Sequence, residues 1–175
     1  NKIYDEMIDF AKYAFNKSHA AAYAVVSYQT AWLKYYYPVE FMAALMTSVI
    51  DNPGKVAEYI YSCKEMGIKL LPPDINKGYG NFSVDDGSIR YGLAAIKSIG
   101  KPVIDDIIAE RERNGLFQNL RDFAERMSGK DINKRTIENF IKSGAFDCFD
   151  GTRKQHMMVY IQILDQLSQE KKYSM

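Results

Sequence analysis

Pro72 and Pro73 stand side by side in the stretch Ile68-Lys-Leu-Leu-Pro-Pro-Asp-Ile-Asn76. Neither can lie inside an α-helix, because proline has no amide proton and its ring crowds the preceding turn. The residue before a proline is driven toward extended backbone as well. A chain with a helical pattern on both sides must therefore break here. Just beyond the break, Asn81-Phe-Ser-Val84, Asp85-Asp-Gly87 and Ser88-Ile-Arg-Tyr91 read as a short hairpin that turns on Asp86-Gly87. We place a boundary near residues 75–92. The expected fold class is mainly α: a helical N-terminal part, a small β-hairpin, then a helix-hairpin-helix helical domain.

Before the prolines, Met7, Ile8, Phe10, Ala11, Ala14 and Phe15 recur at helical steps and predict a helix over 4–15. Ser18 is a suitable N-cap for a second helix from His19 to Tyr36, closed by Pro38, and its many apolar residues predict that most of it is buried. A third helix is expected over 38–50, and a fourth from Asp51-Asn-Pro-Gly54 to a glycine cap at Gly67. After the hairpin, the pattern predicts a short helix ending at Lys97, then helices over 102–114, 119–127, 133–143 and 152–171. No heptad run or solenoid period is present.

The composition, 47% apolar and 26% charged over 175 residues, is that of a folded chain rather than a disordered one. Nine basic and ten acidic residues precede Leu93, and fourteen and twelve follow from it onward, an asymmetry too small to define a nucleic-acid surface. Cys63 and Cys148 fit no metal-ligand spacing and read as reduced thiols. No apolar run reaches the ~20 residues that span a bilayer, and residues 1–6 lack the order of a signal peptide, so no membrane partner and a cytoplasmic location are expected. An opening without methionine, directly in a helical pattern, leads us to expect a piece of a longer protein.

Three stretches carry candidate chemistry. Asn16-Lys17-Ser18-His19 puts a lysine and a histidine at a helix start, where unpaired amides and the positive dipole end favour phosphate oxygens. The same residues also fit a plain capped helix with a solvated lysine and a packed histidine. Leu93 to Arg111 has the layout of a helix-hairpin-helix: an apolar helix, a tight turn at Ile99-Gly100, and a second helix with Val103, Ile104, Ile107 and Ile108 inward. Its turn amides would face a DNA phosphate, with Lys97, Lys101 and Arg111 adding charge. A hairpin used only for packing fits equally, and Ser98 stands where such turns carry their first glycine. Asn133-Lys134-Arg135, at a third helix start, read as a solvated face. Tyr35, Tyr36 and Tyr37 point about 100° apart on a helix and form no single stacking platform; most of these rings are expected in the core or at its rim.

Asp85-Asp86 and Asp105-Asp106 make no convincing two-metal pair, and GxxxxGK[ST], GxSxG and HExxH are missing from the sequence.

Four ordered stretches, "FNKSHAAAYAVVSYQTAWLKYYYPVEFMAALM", "IKLLPPDIN", "YGLAAIKSIGKPVIDDIIAER" and "INKRTIENFIKSGAFD", closely resemble the alpha-subunit family of bacterial DNA polymerase III, in its DnaE form. The resemblance implies that 1–75 is the distal part of the fingers, 76–150 the helix-hairpin-helix region, and 151–175 a helix leading toward the clamp-binding part. It implies that Asn16, Lys17 and His19 face the triphosphate of the incoming deoxynucleotide. It places duplex primer-template DNA on Lys97, Ser98, Ile99, Gly100, Lys101 and Arg111. Membership makes the parent a DNA-directed DNA polymerase whose catalytic aspartates and Mg²⁺ lie in a palm upstream of Asn1. This stretch is thus expected to hold no cofactor and to be inactive alone. Other holoenzyme subunits are implied as partners, but the family's clamp-binding pentapeptide has no match in "QILDQLSQEKKYSM". Ser98 departs from the family's glycine and puts amide presentation in question. Two other readings stay open: a free-standing helix-hairpin-helix module of a repair or recombination protein, and a helical protein-interaction domain.

Overall fold

The computed structural model describes residues 2–12 and 17–173. It divides into two compact units, one up to Pro38 and one from Val39 onward.

The first unit holds α1 (Lys2–Lys12) and α2 (Lys17–Tyr36). α2 is already helical at Lys17, so Ser18 lies within it rather than capping it. No residue of α2 is buried, which corrects the expectation drawn from its apolar content. Trp32 is 41% exposed and Tyr35 79%; Trp32 packs on Tyr36 one turn on, with ring centroids 4.8 Å apart. Apolar composition sets what a helix can bury, while a second surface is needed to bury it.

The second unit takes up α3 (Pro38–Ser48) from its second residue and continues with α4 (Pro53–Glu65). Each opens on a proline, whose fixed φ suits the first helical turn and whose missing amide is not needed there. Asn52 caps α4 by accepting from the Lys55 amide at 3.1 Å. β1 (Leu70–Leu71), β2 (Ser83–Asp85) and β3 (Ser88–Arg90) form a sheet of order β1-β3-β2. The β2–β3 hairpin turns on Asp86 (φ 48°) and Gly87 (φ 70°), both left-handed, as expected for an Asp-Gly turn. β1 is an addition to the expected hairpin, pairing parallel with β3 at Leu70–Ile89 and Leu71–Arg90. The boundary drawn near residue 75 therefore falls within the unit, between a strand and its partner, whereas the compact units part at Pro38.

A single 3₁₀ turn, Leu93–Ala95, takes the place of the short helix expected up to Lys97. Then follow α5 (Lys101–Asn114), α6 (Leu120–Arg126), α7 (Lys134–Ser143) and α8 (Arg153–Tyr173). Two cores result. Met42, Met46, Val56, Cys63, Phe82 and Ile89 form the smaller one, between α3, α4 and the sheet. The larger joins the 3₁₀ turn to α5–α8 around Phe117, Phe123, Phe140, Phe146 and Phe149. Phe123 meets Phe117 and Phe146 edge to face at 4.9 and 5.0 Å.

The proline-rich stretch ties these parts together. Ile75 donates its amide to the Ala145 carbonyl at 2.9 Å. Asn76 exchanges two 2.8 Å hydrogen bonds with the backbone of Phe117. Arg90 donates to Asp85 at 2.7 Å and to the Pro72 carbonyl at 3.0 Å. Both cysteines are free thiols. Cys148 is exposed as a residue, yet its sulfur rests against the Ala145 carbonyl, and partial burial followed by the charge of Asp74 pushes the thiol up to about 11.

Candidate nucleic-acid interface

The hairpin between the 3₁₀ turn and α5 alternates anchors with exposed groups. Leu93, Ile96 and Ile99 are buried in the larger core, while Lys97, Ser98, Gly100 and Lys101 face solvent. Gly92 fixes how the hairpin leaves the sheet: a Cβ there would stand 2.6 Å from the Gly80 carbonyl oxygen, so only glycine fits. That close approach lets Leu93 and Ala94 donate to the carbonyls of Tyr79 and Gly80 at 2.8 and 3.0 Å. The Ile99 amide closes the turn onto the Ile96 carbonyl at 3.3 Å. The left-handed residue of the turn is Ser98, at φ 64°.

α5 starts under Gly100, at φ −78° and ψ 149°, and no side chain caps it. Three other helices differ: Asn52, Asn119 and Asn133 cap α4, α6 and α7 with their side-chain oxygens. Gly100 is not demanded by the chain, since its φ suits any residue and a Cβ would meet only Pro102 Cδ, at an ordinary 3.6 Å. An uncapped helix start leaves amides for an outside acceptor. Lys97 and Lys101 flank it and form no ion pair with any described residue.

Arg111 is not brought to this turn. It lies ten residues further along α5, about 15 Å by helical rise. It is also buried, with Nη1 donating to the Ile75 carbonyl at 2.9 Å and its guanidinium 5.1 Å from the Tyr79 ring centre. Burial holds its pKa below the ordinary value, with nearby Tyr79 and Glu112 opposing. Arg111 thus fastens α5 to the proline-rich stretch.

At the other candidate site, Asn16 lies outside the described residues. Lys17 and His19 are exposed in the first turn of α2, and the His19 ring packs on Tyr23 at 4.4 Å. Two residues along a helix are about 200° around its axis, so the two side chains diverge. Among the described residues, no group of three or more His, Cys, Asp and Glu is placed to hold a metal ion.

Sequence reasoning missed Asn139. From α7 it donates its side-chain amide to the Lys97 carbonyl at 2.9 Å, across 42 positions of sequence. Only its place on the flank of an amphipathic helix hinted at an inward role.

Residues 67–156 match the family model described as the helix-hairpin-helix motif, and the chain belongs to that family. Among curated proteins it closely matches the DNA polymerase III subunit alpha of bacteria. It is 53% identical to that of Vibrio cholerae over 147 residues, 83% of this chain and 13% of the relative. With the Deinococcus radiodurans protein it shares 49% over 155 residues, 89% of this chain and 12% of the relative. With that of Chlamydia trachomatis the figure is 42% over 170 residues, 97% of this chain and 14% of the relative. The chain therefore spans only a small part of the relatives it matches.

Proposed function

We propose that this chain serves template-directed DNA synthesis, as part of a replicative DNA polymerase alpha subunit that grips duplex primer-template without reading its sequence. The observation that carries this reading is the start of α5: an uncapped helix, headed by a glycine that the chain itself does not require, between two lysines without an ion-pair partner among the described residues. A Cβ at Gly100 would crowd only what approaches from outside. Backbone amides and lysines bind phosphates, which are the same at every base pair, so such a grip lets the duplex slide. Lys97, Ser98, Ile99, Gly100 and Lys101 form the contact, and Arg111 supports it from the other end of α5. A free-standing repair module gives way to this reading because the match to polymerase alpha subunits extends through α2, well outside the hairpin.

The helix start at Asn16, Lys17 and His19 is, in the same reading, the nucleotide-facing part of the fingers. Because Lys17 and His19 diverge, a triphosphate met by both straddles the helix end. Bond making and Mg²⁺ belong to parts of the polymerase outside this chain, as do the contacts to other holoenzyme subunits. A cytoplasmic location follows from the role; among the described residues no helix is long and apolar enough to cross a membrane.

Titration of the chain with short duplexes at several salt concentrations tests the grip. Each phosphate contact contributes about −0.9 to the slope of log K against log salt, so Lys97→Ala with Lys101→Ala removes up to ~1.8 from the slope, equally for unrelated sequences. An unchanged slope, or strong preference for one sequence, excludes the assignment. For the fingers, Lys17→Ala and His19→Ala in the complete polymerase are each expected to lower kcat/KM for deoxynucleotide roughly tenfold or more, the loss of one charge-assisted phosphate contact. Primed-template affinity should stay constant; normal nucleotide kinetics in both variants removes this site.

A further inference from the structure

Ser98 has a left-handed backbone at φ 64° although it carries a Cβ, which crowds the neighbouring carbonyl in that region. It is exposed, so no packing of its own side chain holds it there. The buried Ile96 and Ile99 fix the two feet of the turn but leave the peptide between Lys97 and Ser98 free to rotate as a plate. Such a flip changes ψ of Lys97 and φ of Ser98 together, and it would take Ser98 out of the left-handed region. Among the described residues, the one side chain that holds this plate is Asn139, whose Nδ2 donates to the Lys97 carbonyl at 2.9 Å. Asn139 is itself carried by a rigid support, since Ile137, Phe140 and Ile141 seat α7 in the larger core.

We infer that Asn139 is a positioning residue for DNA binding. By locking the Lys97–Ser98 peptide it keeps the turn in the one orientation that aims the α5 amides, Lys97 and Lys101 at a common phosphate path. The inference rests on the DNA-gripping reading of the hairpin, and it explains how a serine serves at a position that otherwise suits glycine. A glycine at 98 is at home at positive φ and has no need of the lock.

The test pairs two readouts in the full chain: amide hydrogen exchange at Ile99, whose amide closes the turn onto the Ile96 carbonyl, and affinity for a short duplex at low salt. Removing a single hydrogen bond shifts a local equilibrium roughly three- to tenfold. Asn139→Ala is expected to speed exchange at the turn by about that factor. It should weaken duplex binding comparably, because the binding-competent turn is less populated. Asn139→Asp, which keeps the shape and loses the donor, should speed exchange in the same way and guards against a packing effect of alanine. Adding Ser98→Gly to Asn139→Ala should restore most of the affinity that Asn139→Ala loses. A merely structural asparagine would not be rescued by a glycine on another element. Unchanged exchange in both Asn139 variants, or no rescue by Ser98→Gly, overturns the inference. If exchange quickens but duplex affinity is untouched both here and in the Lys97→Ala/Lys101→Ala variant, the hairpin is not the DNA grip, and it is the functional reading that falls.

Discussion

The starts of α5 and α7 carry similar sequence, basic residues at the head of a helix, and the fold treats them in opposite ways. α7 is closed: the Asn133 side-chain oxygen accepts from the Thr136 amide at 3.0 Å and its hydroxyl at 3.2 Å, and Lys134 lies 2.8 Å from Asp165 of α8. α5 is open: Gly100 brings no cap, and Lys101 has no carboxylate partner among the described residues. Charge at a helix head is available to a ligand only where neither a cap nor a neighbouring helix has already engaged it.

Three substitutions press on that contrast. Asn133→Ala should have the largest effect, destabilising the chain by about 1 kcal/mol through loss of the cap while leaving the slope of duplex binding against salt as it was. Chemical denaturation with a parallel DNA titration reads both; a loss of DNA binding at equal fold would place α7 in the interface. Gly100→Ala should do the reverse. Its Cβ meets ordinary contact, so stability should move by less than about 0.5 kcal/mol, yet duplex affinity should fall severalfold because the close approach to phosphate is blocked. Normal affinity in this variant would mean the α5 start is not approached closely. Lys134→Ala should be the quietest. Its ion pair with Asp165 is exposed on both sides, at 54% and 57%, and such pairs contribute well under about 1 kcal/mol, so neither melting nor DNA affinity should shift measurably.

Much of this architecture was legible in advance where local chemistry decides it. The break at Pro72-Pro73, the Asp86-Gly87 turn, the start of α4 at Asp51-Asn-Pro-Gly54 and its end at Gly67 each follow from a residue's own backbone preferences. The apolar pattern of α5 likewise announced Val103, Ile104 and Ile107 as core. β1 was not legible: Leu70–Leu71 is two residues long, and its partners in β3 lie nineteen residues later. Of the candidate site, Lys97, Gly100 and Lys101 stood out as a motif. Arg111 looked equally available, and its burial depended on Ile75 and Tyr79, which reach it only through the fold.

The sequence by itself determined where helices start and stop, which faces are apolar, and the membership that its ordered motifs announce, because these depend on covalent geometry and short-range periodicity. Only the tertiary structure decided which of those faces found a partner and which charges stayed unpaired. α2 was as apolar as a core helix and is buried nowhere in this chain, since burial requires a second surface that no local pattern supplies. The same holds for the turn at Ser98. A serine there reads as a defect until Asn139, distant in sequence, is seen to hold the carbonyl before it. Hydrogen bonds and ion pairs between distant elements act over a few ångströms of space, so their partners are set by how helices pack rather than by their separation along the chain.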